Sequence, residues 1–269
     1  MKFAAGLLAS ALVVACLVAG PADAADIAPE PAPGDWRFTL APYAWATGIN
    51  GDAGFFGREP VEIDMSFSDV LEKLDFAAMG VAEAHNGTWG LLADVDYANL
   101  SADGAVSRAV SADPPITAEL KGSLEIREFM ATVMGQWRAL DQGSITLDLM
   151  GGARYWHVDT DFSLRLKANG EKLKSGSGSD GAAWIDPMIG AKARIDTGTP
   201  FYVTSWGMAG GFGAGSDFSW DVMGGLGYQW TEHFSTMLGY RAVGVDYEED
   251  GFVYDVIQSG AVIGGVVSF

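Results

Sequence analysis

The sequence is poor in the residues that most often carry covalent or metal chemistry. Its 269 residues include one cysteine and three histidines. The cysteine, Cys16, lies in an apolar leader, so the chain beyond it offers no thiol for a disulfide or a thiolate nucleophile. We expect no metal site and no cofactor.

Positive charge is also scarce. Sixteen Lys and Arg stand against 35 Asp and Glu, which gives a net charge of −19. Such an excess opposes binding to nucleic acid or to an anionic surface. Acidic residues at Asp246, Glu248, Glu249 and Asp250 could attract Ca²⁺, but they lack the spacing of a known calcium loop. The alternative is a solvated surface of a secreted protein.

After residue 24 there is no run of about 20 apolar residues, the length that a spanning helix needs. The apolar run lies in 1–24, between Lys2 and Ala22-Asp23-Ala24. This pattern predicts a secretory signal peptide cleaved after Ala24. A lipoprotein cleavage box ending at Cys16 is the alternative. Residues 25–35 are rich in proline and predict a flexible periplasmic leader.

From Trp36 onward the sequence alternates apolar and polar residues with a period of two, interrupted by Gly, Asn, Asp and Ser. This pattern, with nine Trp and 36 Gly in the chain, indicates β-strands joined by turns. We predict one domain over 36–269, with ten strands at 36–47, 75–85, 89–101, 117–138, 144–166, 183–196, 201–211, 217–230, 234–247 and 252–269.

The predicted connections differ in length. Short turns at 86–87, 141–143, 197–200 and 231–233 contrast with long loops at 48–74, 102–116 and 167–182. Short turns on one side and longer loops on the other are typical of outer-membrane barrels. Because only helices and closed barrels satisfy every backbone group in lipid, we predict an all-β fold: a transmembrane antiparallel up-and-down β-barrel of about ten strands, with 12 or 8 as alternatives.

Residues 60–74 do not fit a simple hairpin. The alternation in 60–67 predicts an extra strand, and Ser68 is a plausible N-cap for a short helix with Asp69 and Glu72 in its first turn. We place both elements in the first long loop. The sequence leaves open whether they span, plug or cap the barrel.

The strand faces separate apolar from charged residues. Leu91, Val95 and Tyr97 share one face of their strand, whereas Asp94 and Asp96 share the other. In a barrel the charged face lines the lumen, and the predicted lumen charges are Asp94, Asp96, Arg127, Asp148, Arg154, Lys192, Arg194 and Arg241. These charges either pair across a narrow interior or line a small channel that favours cations.

The same alternation would suit a soluble β-sandwich, and the aromatic residues favour the barrel. Seven Trp lie near predicted strand ends, where interfacial girdles place them. They are Trp36, Trp45, Trp89, Trp137, Trp184, Trp220 and Trp230.

The last strand, "AVIGGVVSF", puts Ala261, Ile263, Gly265, Val267 and Phe269 on one face. This ending resembles the assembly signal of bacterial outer-membrane β-barrels. With "YAWATGINGDAG", "GGARYW" and "LGYRAVGVDYEEDGFVYDV", the sequence resembles a porin-like family of small Gram-negative barrels, mostly uncharacterised, over nearly all of 36–269. The resemblance implies a cell outer membrane location, contact with lipid and lipopolysaccharide, and the barrel-assembly machinery as a partner during biogenesis. We expect a monomer.

Three functions remain open. The first is a non-enzymatic barrel with a structural or narrow porin-like passive transport role, and the second is a surface adhesion or interaction protein. The third is an enzyme that acts on lipid or peptide at the outer rim, with His157, Asp159 and Asp161 as the candidate general base or metal site. No serine lies at a recognisable spacing from His157, so we predict that the chain is not an enzyme. His85 and His233 are expected to be interfacial residues at periplasmic turns.

Overall fold

A computed structural model describes residues 35–55, 57–112, 115–168 and 171–269. The predicted signal peptide and all but the last residue of the leader lie outside the described residues. The described residues form one helix and eleven strands: β1 Arg37–Gly54, β2 Val61–Met65, α1 Phe67–Lys73, β3 Leu74–His85, β4 Trp89–Ala112, β5 Pro115–Asp141, β6 Ile145–Ala168, β7 Glu171–Asp196, β8 Phe201–Gly211, β9 Phe218–Gln229, β10 Phe234–Glu249 and β11 Phe252–Ser268.

Ten of these strands form a closed antiparallel ring. Neighbours along the chain pair in order from β3 to β11, and β1 joins β3 to β11. The closing pair runs from Thr39 opposite Ser268 to Gly54 opposite Val253. The eleventh strand, β2, pairs only with β1 among the described strands and is not a member of the ring. The predicted barrel and its ten strands are therefore confirmed.

Strand β2 and helix α1 complete the barrel wall. The periplasmic half of β1, Arg37 to Pro42, pairs with β3, whereas its upper part, Ile49 to Ala53, pairs with β2. The predicted extra strand is therefore present, and it neither plugs the lumen nor spans the membrane.

Helix α1 begins two residues earlier than the sequence predicted. Ser66 is the N-cap, not Ser68, and Asp69 at the third helical position closes a capping box with it. The Ser66 backbone N–H donates to Asp69 Oδ2 at 2.9 Å, and Ser66 Oγ accepts from the Asp69 N–H at 3.4 Å. This reciprocal pair satisfies two backbone donors at the start of the helix, which an N-cap at Ser68 would not do.

The predictions of long loops at 102–116 and 167–182 are wrong, because the described residues of both segments lie in strands. Residues 102–112 and 115–116 continue β4 and β5, and residues 167–168 and 171–182 continue β6 and β7. The antiparallel pairing of β4 with β5 and of β6 with β7 continues through these residues, so the ladders extend beyond the membrane. Strand β3 ends its pairing at Leu100 of β4. We call the protruding four-stranded part, residues 101–112, 115–125, 161–168 and 171–179, the extracellular sheet.

The outer surface of the ring is apolar. Exposed side chains point outward along every wall, among them Leu91, Val133, Leu149, Ile189, Val222, Leu226, Leu238 and Ile263. Aromatic residues border this belt at the periplasmic end (Trp36, Trp89, Trp137, Trp230) and at the opposite end (Phe76, Tyr97, Phe129, Tyr155). This is the arrangement of a lipid-facing barrel surface.

Two of the predicted girdle tryptophans lie elsewhere. Trp45 and Trp184 are 7% and 5% exposed and belong to the interior cluster. Their strand positions put both side chains on the lumen face, because side chains alternate along a strand. Proximity to a strand end therefore predicted Trp36, Trp89, Trp137 and Trp230 correctly and was wrong for Trp45 and Trp184. In the described part of the chain, no helix is long and apolar enough to cross a membrane.

Candidate functional site

A buried cluster of charges crosses the middle of the lumen. Arg241 on β10 is 1% exposed and reaches Asp94 Oδ2 on β4 with Nη2 at 2.6 Å. The same Nη2 donates to Asp221 Oδ2 at 2.8 Å, and Nη1 lies 3.3 Å from Asp96 Oδ2. The Tyr43 hydroxyl accepts from Nη1 at 2.6 Å and lies 2.8 and 2.7 Å from the two β4 carboxylates. One guanidinium thus links three walls of the barrel.

A second guanidinium joins the cluster from β6. Arg154 is fully buried, and its Nη2 donates to Asp221 Oδ2 at 2.5 Å. Its Nε donates to Thr132 Oγ1 at 2.8 Å. Asp186 lies opposite Arg154 on β7, and its Oδ1 accepts from the Ser216 N–H at 2.7 Å. Every member is hydrogen-bonded at least once, as buried charged groups require.

Apolar layers lie on both sides of this central cluster. Towards the periplasm is a layer made of Leu92, Met134, Met150, Met188 and Met208. Towards the outside is a larger layer that includes Trp45, Met130, Trp156, Trp184, Val243, Tyr247, Tyr254 and Val256. Side chains from facing walls therefore meet at three successive levels. Ten-stranded barrels leave room mainly for side chains, and here the side chains fill that room.

The remaining predicted lumen charges lie near the periplasmic end, except for one. Asp148 contacts Arg138 Nε at 2.5 Å, and His85 Nε2 lies 3.5 Å from the same carboxylate. Lys192 forms an ion pair with Glu83 across the lumen. His85 therefore points into the barrel, and its predicted interfacial position is wrong.

Arg194 pairs with Asp196 at 2.8 Å at the end of β7, over the ring of Tyr202. His233 is exposed in the turn between β9 and β10, where its Nδ1 lies 3.0 Å from the Ser268 carbonyl oxygen. Both residues lie at the short-turn end of the barrel.

Arg127 is not in the lumen, so this prediction is wrong. Its side chain is 40% exposed and pairs with Asp161 and Glu125 on the outer face of the extracellular sheet. Even-numbered residues of β5, such as Met130 and Thr132, face inward. Arg127 has the opposite parity.

The His157 group lies on this outer face too. His157 Nε2 is 2.9 Å from Asp159 Oδ2, and both side chains are about 40% exposed. Its ring stacks on Tyr155, the girdle residue below it. Asp161 forms an ion pair with Arg127. The group is therefore an open surface pair above the lipid belt. Among the described residues, no set of three or more His, Cys, Asp or Glu side chains is placed to hold a metal ion.

The upper aromatic layer encloses a buried carboxylate that sequence reasoning missed. Glu128 accepts from Gln258 Nε2 at 2.9 and 2.7 Å and from the Tyr254 hydroxyl. Asp221, Asp186 and Tyr43 were missed as well. The available signal was their inward strand parity, since "FSWDVM" and "AWIDPM" each carry a lone acid in mid-strand. Which acids share one guanidinium is a cross-barrel relation that no local pattern contains.

The residues of the predicted assembly signal lie as expected on the outside of β11. Ala261, Ile263, Val267 and Phe269 are exposed, and Gly265 is half-buried. Their role in assembly stays a prediction.

No protein-family model and no curated protein sequence matches the chain. Solved structures do match its fold. The outer-membrane protease OmpT from Escherichia coli is 12% identical, with a TM-score of 0.51, over 88% of this chain and 97% of OmpT. Ail, the attachment invasion locus protein of Yersinia pestis, is 11% identical, with a TM-score of 0.30, over 87% of this chain and 98% of Ail. The toluene transporter TodX of P. putida is 11% identical, with a TM-score of 0.33, over 88% and 90%.

OmpT shares its β-barrel architecture with the chain. At 12% identity the likeness to OmpT shows the fold alone. With the apolar outer belt, the fold is that of a lipid-facing, outer-membrane-type β-barrel. The function has to be argued from the chain's own residues.

Proposed function

We propose that the chain is a closed, non-conducting outer-membrane barrel that acts non-enzymatically through its extracellular surface, as an interaction protein. This favours the adhesion hypothesis over passive transport. The observation that carries the proposal is the bridge from Arg241 to Asp94, which joins opposite walls at the middle of the lumen.

The layers on either side of the bridge support closure. A solute or hydrated ion that followed the barrel axis would have to displace the methionine layer, the buried ion cluster and the aromatic layer in turn. Breaking a buried ion pair costs about 3–5 kcal/mol, and the apolar layers add their own packing. The paired charges of the central cluster stabilise the facing walls, which supports a structural role for them over a channel lining.

The extracellular sheet supports a role at the surface. It continues β4 to β7 beyond the adjoining strands, so the barrel holds a wide sheet rigidly outside the membrane. Rigid scaffolds with protruding segments commonly carry binding surfaces. The catalytic alternative is not favoured, because the His157–Asp159 pair lies on an open outer face with about 40% of each side chain exposed.

Planar-bilayer recording tests the proposal. Residues 25–269 are refolded in detergent, folding is verified by heat-dependent gel mobility, and a known porin serves as the conducting control. We expect the folded protein to insert without producing conductance steps. Steady, reproducible steps from the folded fraction would overturn closure and restore the passive-transport hypothesis.

A further inference from the structure

Strand β7 has an open edge on its extracellular half. It pairs with β8 only from Met188 to Asp196, so residues 171–187 have no partner strand on that side within the described chain. The backbone N–H and C=O groups along such an edge are a template for another extended chain. Extended peptides bind many proteins by adding a strand in this way.

A cleft adjoins this edge because the hairpin of β8 and β9 is short. Pairing between β9 and β10 stops at Asp246, so β7 and the top of β10 rise above that hairpin on either side. The cleft holds about 670 Å³ and is lined by residues 183–185, 213–215, 217 and 247–249, together with Tyr155. We call it the notch.

Aromatic rings line the inner side of the notch. Trp184 of β7 stacks on Tyr247 of β10, with ring centroids 3.9 Å apart and planes 9° apart. Trp184 is 5% exposed, and its indole Nε1–H has no hydrogen-bond partner among the described residues. The stacked pair forms the inner wall of the notch.

The charge of the notch is of one sign. Asp217, Glu248 and Glu249 line it and are exposed, and its lining includes no Lys, Arg or His. Carboxylates beside aromatic rings favour cationic side chains through both charge and cation–π attraction. Lys172 and Lys174 lie at the far end of the same open edge, away from the notch.

We propose that the notch and the open edge of β7 together bind an extended segment of another protein. The segment adds as a strand beside residues 171–182 and places Lys or Arg side chains among Asp217, Glu248 and Glu249. Side chains along this part of β7 are small, since the segment consists of Gly176, Ser177, Gly178 and Ser179. The inference rests on the proposed surface function and names the class of partner.

Fluorescence anisotropy with a synthetic peptide tests the inference. The probe is a fluorescein-labelled peptide of about ten residues in which Lys alternates with Thr. A second peptide carries N-methyl groups on alternate amides, and a third has Glu in place of Lys. We expect the folded, detergent-solubilised protein to bind the first peptide saturably, and the other two to bind at least roughly tenfold more weakly.

Charge variants localise the binding. Asp217→Asn, Glu248→Gln and Glu249→Gln combined should weaken binding by roughly tenfold or more, since each removes a partner of a cationic side chain. The matched control combines Glu59→Gln, Glu62→Gln and Glu72→Gln, three exposed acids in the first loop region, and should bind like the unaltered protein. Heat-dependent gel mobility verifies that each variant is folded.

Several outcomes overturn the inference. If the N-methylated peptide bound as tightly as the first peptide, strand addition would be excluded. If the control variant lost as much affinity as the notch variant, the effect would come from net charge and not from the notch. Displacement of the peptide by lipopolysaccharide, or dimers that form through the β7 edge, would assign the edge to lipid or to a second copy. If the barrel is silent in bilayers and no peptide binds, this inference fails while the closed barrel stands. Conductance steps would instead refute the proposed function, whatever the peptide does.

Discussion

Arg241 and Asp94 lie on facing walls of the barrel, and their side chains meet inside it at 2.6 Å. Strands β3, β1 and β11 separate them on one side of the ring, and β5 to β9 separate them on the other. This ion pair lies in the central one of the three packed levels that fill the lumen. Both residues are essentially inaccessible to water.

Replacing Arg241 by Met should destabilise the barrel by about 3–5 kcal/mol, because Asp94, Asp96 and Asp221 would lose their shared cation. Urea unfolding in detergent micelles, followed by gel mobility, measures the change. Adding Asp94→Asn and Asp96→Asn should recover part of the loss, since the uncompensated buried charge is then removed.

Arg127→Met is the matched control for this prediction. Its ion pairs lie on the outer face with about 40% of the side chain exposed, and pairs of this kind contribute about 0–1 kcal/mol. If the two arginine variants lost equal stability, the central cluster would not hold the barrel together.

Tryptophan quenching by brominated lipid should separate the girdle from the interior. Trp89 is 59% exposed on the outer surface, whereas Trp156 is 1% exposed inside. In brominated bilayers, Trp89→Phe should remove part of the quenchable fluorescence, since Trp36, Trp137 and Trp230 remain on the outer surface, and Trp156→Phe should leave the quenchable fluorescence nearly unchanged. Equal losses in the two variants would contradict the inward position of Trp156.

The first hairpin of the extracellular sheet should be removable. Deleting residues 105–121 joins Gly104 to Gly122, which are already opposite each other, and two glycines suit a tight hairpin turn. No pair within the ring is altered, so heat-dependent mobility and the urea midpoint should be retained. Failure to fold would show that the sheet is needed for the barrel itself.

The α1 capping box predicts a pH dependence. Hydrogen bonds from the Ser66 side chain and backbone lower the pKa of Asp69 from its ordinary value. Since the folded pKa lies below the unfolded one, this stabilisation of α1 is fully present above about pH 4. It is lost as the pH falls through the folded pKa. NMR titration of the Asp69 carboxyl group should show this depressed pKa.

Two serine variants test which residue caps the helix. Ser66→Ala should raise the Asp69 pKa towards its ordinary value, because the side-chain hydrogen bond is lost. Ser68→Ala should have a smaller effect. The reverse order of effects would restore Ser68 as the N-cap.

Much of the fold could be predicted from the sequence because strand structure has a local signature. A period of two assigns Leu91 and Asp94 to opposite faces without any knowledge of neighbouring strands. Turn residues such as Asn86-Gly87 mark the periplasmic ends. Together these patterns predicted a ten-stranded barrel.

Two assignments were wrong although strand parity alone would have corrected them. Arg127 was predicted to lie in the lumen, but its side chain has the parity of the outer face. Trp45 and Trp184 were assigned to the membrane interface from their distance to strand ends. Their strand parity instead puts both side chains inside the barrel, where they pack against facing walls.

The sequence by itself determined that this chain forms strands with one apolar and one charged face, because alternation is a property of neighbouring residues. Only the tertiary structure decided that the charged face closes the barrel. Arg241 and Asp94 are far apart along the chain, and ring closure brings their side chains together. The same closure left the edge of β7 open, because strand lengths on either side of it are unequal.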